Sequence, residues 1–293
     1  MPSPTRRTAC TGLSAGLLTA ALPARAQSGA EARWRALEER TGGRLGLSVG
    51  GPGRTLLAWR SDERFPFCST FKVLLAAAVL ARVDAGAERL DRELTLREAD
   101  LLSYAPVSRK AVEAGGGAGR ITVAEACAAA LVWSDNSAAN LLFALVGGPA
   151  GLTQWVRTTG DFVTRSDRTE PTLNTAISGD PRDTTSPAAM RGALTQVLLG
   201  AALKPESRDR LEAWMVGAQT GFHRLRAGLP AEWRAGDKTG TGDNGTYNDV
   251  AILRPPGRPP LVATVYLTGT TAPAATCEAV HAEIGRLIAT DLG

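Results

Sequence analysis

Phe67-Cys68-Ser69-Thr70-Phe71-Lys72 runs directly into Val73-Leu74-Leu75-Ala76-Ala77-Ala78-Val79-Leu80, and the reading of this stretch decides the fold. Pro66 and Phe67 end an extended segment, and the Ala/Leu run after Lys72 predicts a buried helix. Ser69 then stands at the helix start with Lys72 three residues on, a spacing that brings hydroxyl and ammonium to one face. The first N–H groups of a helix lack internal partners and carry partial positive charge, which suits a developing oxyanion. The six residues outline a serine nucleophile with an amine beside it. An N-capping hydroxyl followed by a surface lysine fits the same letters.

Lysine usage favours the first reading. Of the 33 basic residues only Lys72, Lys110, Lys204 and Lys238 are lysine, and the rest are arginine. Lysine can lose its proton when it is desolvated, whereas arginine in practice cannot. A general base at Lys72 needs that property; Lys110 and Lys204 read as ordinary surface lysines.

Upstream, residues 1–26 hold Arg6 and Arg7, no acidic residue, a mildly apolar run over 11–22 and Ala24-Arg25-Ala26. This is the pattern of a secretory signal peptide cleaved after Ala26, too short and too weakly apolar to span a membrane. The expected location is periplasmic or secreted, with no membrane anchor, reached by the Sec or the twin-arginine route, although Thr8-Ala9 matches the latter poorly. Without the leader the chain keeps about 267 residues and 30 basic against 29 acidic side chains, net +1. That balance, with no basic block, argues against a nucleic-acid partner. Cys10 leaves with the leader, and Cys68, Cys127 and Cys277 remain without CxxC spacing. With only His223 and His281 in the chain, neither a metal nor another cofactor is expected.

Downstream of the leader, a helical pattern surrounds Trp34 and Leu37. Residues 44–50 and 55–60 then flank Gly51-Pro52-Gly53 as a β-hairpin. Inside it, Gly46-Leu47-Ser48-Val49-Gly50 matches a nucleophile elbow, but that elbow needs a strand turning straight into a helix. The middle of the chain reads as Ala-rich helices with short polar breaks, and 115–119 as a flexible surface turn. Strands return over 234–241, 248–253 and 261–268, followed by a last helix. The expected fold class is α/β (α+β). A five-stranded antiparallel sheet flanked by helices is built from 27–65 and 217–293, an all-helical lobe spans 66–216, and the active site lies in the cleft between them.

Three further segments fit the chemistry of Ser69. Ser134-Asp135-Asn136 breaks two apolar helices; a hydroxyl there can pass a proton to a leaving nitrogen and the Asn amide can hold a carbonyl, while helix capping fits too. Lys238-Thr239-Gly240 lies on a strand where lysine and hydroxyls can bind a carboxylate and the glycine leaves room for a ligand. Glu170-Pro171-Thr172-Leu173-Asn174 sits in a long polar loop, and a carboxylate and an amide four apart can hold one water. Arg168 and Asp183 bracket this loop as a clamp, or form a surface pair.

Ser-x-x-Lys, Ser-Asp-Asn, Glu-x-x-x-Asn and Lys-Thr-Gly in that order resemble the class A serine β-lactamases, from about Ala30 to the C-terminus. The resemblance implies hydrolysis of penicillins and cephalosporins, hence antibiotic resistance, by a monomer acting on a small-molecule β-lactam. Ser69 would attack the lactam carbonyl, with the backbone N–H groups of Ser69 and Thr241 as the oxyanion hole. Lys72, or Glu170 through a water, would take the serine proton, and Ser134 would protonate the departing nitrogen. Glu170 and Asn174 would activate the deacylating water. Lys238, Thr239, Gly240 and Thr241 would line the carboxylate site, Asn136 would bind the substrate amide, and Tyr104 would wall the pocket.

Two departures from the family pattern stand out. The arginine many members carry just after the Lys-Thr-Gly strand is replaced by Tyr247, and Arg224 matches the alternative position from which others supply that charge. The resemblance also implies no disulfide: the partner positions of Cys68 and Cys127 are Gly242 and Ala76, which leaves three free thiols. A D-alanyl-D-alanine peptidase or a non-hydrolytic penicillin-binding sensor would share Ser69, Lys72, Ser134 and Lys238 but lack a pair like Glu170 and Asn174.

Overall fold

The computed structural model describes residues 24–293. Of the expected leader, residues 1–26, positions 1–23 lie outside the described residues. The chain opens with helix α1 (Ala24–Thr41), the hairpin β1 (Arg44–Gly51) and β2 (Arg54–Trp59), and the short strand β3 (Phe65–Pro66). A single 3-10 turn, Cys68–Phe71, leads into α2 (Lys72–Asp84). Then come β4 (Glu93–Arg97), α3 (Pro106–Ala114), β5 (Ala118–Thr122), α4 (Val123–Val132), α5 (Asn136–Leu145) and α6 (Gly148–Arg157). After β6 (Thr184–Thr185) follow α7 (Pro187–Leu198), α8 (Pro205–Val216), β7 (Arg234–Gly242), β8 (Thr246–Arg254), β9 (Leu261–Thr268) and α9 (Ala274–Leu292).

Local chemistry sets these boundaries. Thr122 and Glu125 form a capping box at α4, Asp135 caps α5, and Ser186 caps α7 ahead of Pro187, which needs no N–H at that position. Gly53 takes a φ of +65° in the hairpin turn.

The main sheet is antiparallel with strand order β2-β1-β9-β8-β7, so the first hairpin and the last three strands do join from opposite chain ends. Its two faces follow the period of a strand. Leu45, Leu47, Ala251, Leu253, Val265 and Leu267 cluster with Trp34 of α1 and Val280, Ile284 and Ile288 of α9. Val250, Ile252, Val262 and Tyr266 join the larger core around α2, whose residues are buried from Lys72 to Leu80. Against that face β1 offers Gly46 and Ser48, and Ser48 Oγ accepts from Arg191 Nε of α7 at 2.9 Å. The elbow-like serine is therefore a buried structural residue.

Two small ribbons add strand to the helical region: β3 pairs with β6, and β4 with β5. The second ribbon corrects the reading of 115–119 as a mere flexible turn. Gly119 pairs with Leu96, and a Cβ on it would lie 2.5 Å from the Ala111 carbonyl group, so this glycine lets β5 close on α3. Among the described residues no helix is long and apolar enough to cross a membrane.

Candidate active site

The Ser69 turn is held between α2 and the sheet. Cys68, the first residue of this turn, has φ +46°, a left-handed conformation that a non-glycine residue adopts only when its surroundings impose it. Lys72 is fully buried, and its Nζ lies 3.1 Å from Ser69 Oγ, 2.8 Å from Ser134 O, 3.3 Å from Ser134 Oγ and 2.6 Å from Asn136 Oδ1. Glu170 Oε1 lies 3.0 Å from the same ammonium. Burial pulls the Lys72 pKa below the ordinary lysine value, and the Glu170 carboxylate pulls against it.

Ser134 is likewise left-handed, with φ +60°, at the break between α4 and α5. Its hydroxyl accepts from Lys238 Nζ at 3.0 Å, and Lys238 also donates to Thr239 O at 2.8 Å. Burial, and then the neighbouring Lys72, push the Lys238 pKa well below its usual value. Ser69 Oγ, Lys72 Nζ, Ser134 Oγ and Lys238 Nζ thus form one chain of proton donors and acceptors. Lys110 and Lys204 are exposed, so the two lysines singled out by motif are also the two that are buried. Asp135 has a purely structural part: its carboxylate accepts from the backbone of Val107, Ser108 and Ala138 and from Ser108 Oγ.

Glu170 is 3 % exposed. Asn174 Nδ2 donates to its Oε2 at 2.5 Å, while Asn174 Oδ1 is buried without a hydrogen-bond partner among the described residues. Asn140, which the sequence reading missed, pins the main chain of Glu170 from both sides: Glu170 N donates to its Oδ1 at 3.0 Å and its Nδ2 to Glu170 O at 2.9 Å. The available signal was an amide one turn after Asn136 on an otherwise apolar helix. Arg168 Nε donates to Asp183 Oδ2 at 2.5 Å, and Asp183 Oδ1 takes the N–H groups of Asp167 and Arg168. Asp183 is completely buried, so this is an internal clamp and not a surface pair. At its far end the loop is tied to the β7–β8 turn, where Asp243 N donates to Asn174 O and Asn244 Nδ2 to Thr175 O.

Strand β7 is the edge of the sheet and runs beside the Ser69 turn. A Cβ on Gly240 would lie 2.9 Å from Phe67 O and 3.2 Å from Cys68 Cβ. The room this glycine leaves is thus taken up by the nucleophile turn itself, a physical reason different from the ligand space read in the sequence. Arg224 reaches the same strand: its Nη2 donates to Thr241 Oγ1 at 2.6 Å and its Nη1 to Gly240 O at 2.9 Å, with its guanidinium 5.6 Å from the Tyr247 ring centre. Arg226 turns away to pair with buried Asp237. Thr239 Oγ1 donates to Thr220 Oγ1 at 2.7 Å. Thr220 was also missed, since nothing in its neighbourhood in the sequence marks it. Tyr104 is half exposed and its carbonyl accepts from Asn136 N. Trp133, next to Ser134, is 44 % exposed.

Cys68, Cys127 and Cys277 are free and buried. A Cβ on Gly242 would lie 2.6 Å from Cys68 Sγ, so the two positions do face each other.

A model of the β-lactamase enzyme family matches residues 30–292. An ancestral class A β-lactamase is 57 % identical, with a TM-score of 0.85 over 88 % of this chain and 98 % of its own. A class A β-lactamase representing the last common ancestor of Gram-negative bacteria is 54 % identical, with a TM-score of 0.87 over 90 % of this chain and 100 % of its own. A β-lactamase from Xanthomonas campestris is 48 % identical, with a TM-score of 0.86 over 90 % and 98 %. With the matching order of motifs and the antiparallel sheet between helices, these place the chain in the β-lactamase enzyme family, among the class A serine enzymes.

Proposed function

We propose that this enzyme hydrolyses penicillins and cephalosporins through an acyl-enzyme on Ser69, and so confers resistance to them. The observation that carries the reading is the meeting of Glu170, Lys72 and Ser69 on one buried ammonium. Lys72, whose pKa burial lowers, or Glu170 acting through a water, accepts the Ser69 proton as Oγ attacks the lactam carbonyl. The oxyanion takes the backbone N–H groups of Ser69 and of Thr241 on the edge strand. Ser134 delivers a proton to the ring nitrogen and is recharged through Lys72 or Lys238. A water donating to the Glu170 carboxylate and the unpartnered Asn174 Oδ1 then attacks the ester, which frees the open-ring acid and returns the proton to Ser69.

Lys238, Thr239, Thr241 and Arg224 bind the substrate carboxylate. Asn136, whose Oδ1 is committed to Lys72, offers Nδ2 to the substrate amide. A peptidase or a penicillin sensor has no use for the Glu170–Asn174 pair. The enzyme acts as a monomer outside the cytoplasm, after loss of residues 1–26. The wild type is expected to turn over benzylpenicillin many times, and Ser69→Ala to lower that rate about 10³-fold or more. An unchanged rate in the variant would remove Ser69 from the mechanism.

A further inference from the structure

One row of residues crosses the sheet beneath the nucleophile: Gly46 pairs with Tyr266, Tyr266 with Asn248, and Asn248 with Gly240. Every member touches the segment that carries Ser69. A Cβ on Gly46 would lie 2.4 Å from the Phe65 ring. The Tyr266 hydroxyl is 3.3 Å from Thr70 Oγ1, and Gly240 meets Phe67 O as described. Between them Asn248 Nδ2 donates to two successive main-chain carbonyls, Pro66 O at 2.9 Å and Phe67 O at 3.2 Å. Asn248 is fully buried, and its Oδ1 has no partner among the described residues. The side chain thus engages the protein through its donor end. On its main-chain side Arg224 Nη1 donates to Asn248 O at 2.6 Å, alongside Gly240 O.

The two donors of the oxyanion hole belong to separate elements, Ser69 N–H to a turn and Thr241 N–H to an edge strand. Their separation has to be held to a fraction of an ångström for both to reach one oxygen. Asn248 is hydrogen-bonded to the turn and paired with the strand residue directly before Thr241. We propose that Asn248 is the positioning residue that fixes the distance between the two halves of the oxyanion hole. It touches neither the substrate nor Ser69 Oγ, and the inference rests on the acyl-enzyme reading above.

The test compares Asn248→Leu, which keeps the volume and removes the donor, with Asn248→Ala and with Tyr266→Phe as the packing control. Three quantities are measured per folded molecule: kcat/KM for benzylpenicillin, affinity for phenylboronic acid, whose tetrahedral adduct puts an oxygen between the two donors, and benzylpenicillin Kd in a Ser69→Ala background. Both Asn248 variants should lose about 10- to 100-fold in kcat/KM and a comparable factor in boronate affinity, with ground-state Kd and the Tyr266→Phe enzyme within about threefold of wild type. A merely structural Asn248 would lower thermal stability yet leave both quantities intact in the folded fraction. That result, or an equal loss in ground-state Kd, overturns the proposal. A wild type without turnover would sink the acyl-enzyme reading instead, and is seen before any variant is made.

Discussion

Arg224 and Arg226 are two residues apart and do different work. Arg224 is 5 % exposed and directs its guanidinium to Thr241 Oγ1 and the carbonyls of Gly240 and Asn248, at the rim where a substrate carboxylate would bind. Arg226 neutralises Asp237, whose pKa burial raises and Arg226 pulls down. Arg224→Ala is expected to raise KM for benzylpenicillin about tenfold with little change in kcat, the signature of lost uniform binding. Arg226→Ala leaves a buried carboxylate unpaired, a loss of about 3–5 kcal/mol before any protonation relieves it. Its expected effect is a fall in Tm with KM nearly unchanged. Equal small effects of both variants on KM would contradict this division.

At the scale of elements, the loop that carries Glu170 behaves as a part fixed at both ends. Asp183 gathers the Arg168 guanidinium and two N–H groups, and its own carbonyl accepts from Phe67 N, so the clamp also touches the nucleophile strand. Asp183→Ala keeps that carbonyl and removes the clamp. On the proposed deacylating role of the loop, kcat and KM should fall together, kcat by about tenfold or more, with acyl-enzyme accumulating. A fall in kcat/KM without a detectable adduct would assign the loop to acylation instead. The elements most legible in the sequence were those with local punctuation: the first hairpin turns at Gly51-Pro52-Gly53, and β9, a continuous apolar run, spans the residues 261–268 expected of it. The β4–β5 ribbon was not legible, since Gly119 answers to a close approach by α3 that no local pattern announces.

For the whole molecule, the five-stranded sheet drawn from both chain ends could be read from where strand-like runs cluster. The motif residues could be read because their chemistry demands particular side chains: Lys238 meets Ser134 across 104 positions of sequence. Asn140, Thr220 and Asn248 escaped because each acts on a distant backbone or hydroxyl group, a demand that leaves no spacing rule behind. The central claim, a serine acyl-enzyme released by Glu170, is tested most directly by intact mass during exposure to benzylpenicillin. The wild type should turn over many equivalents with no lasting adduct, while Glu170→Gln should accumulate one covalently bound penicillin per chain. A stable adduct on the wild type after one equivalent, or a Glu170→Gln enzyme that turns over like the wild type, would contradict the account.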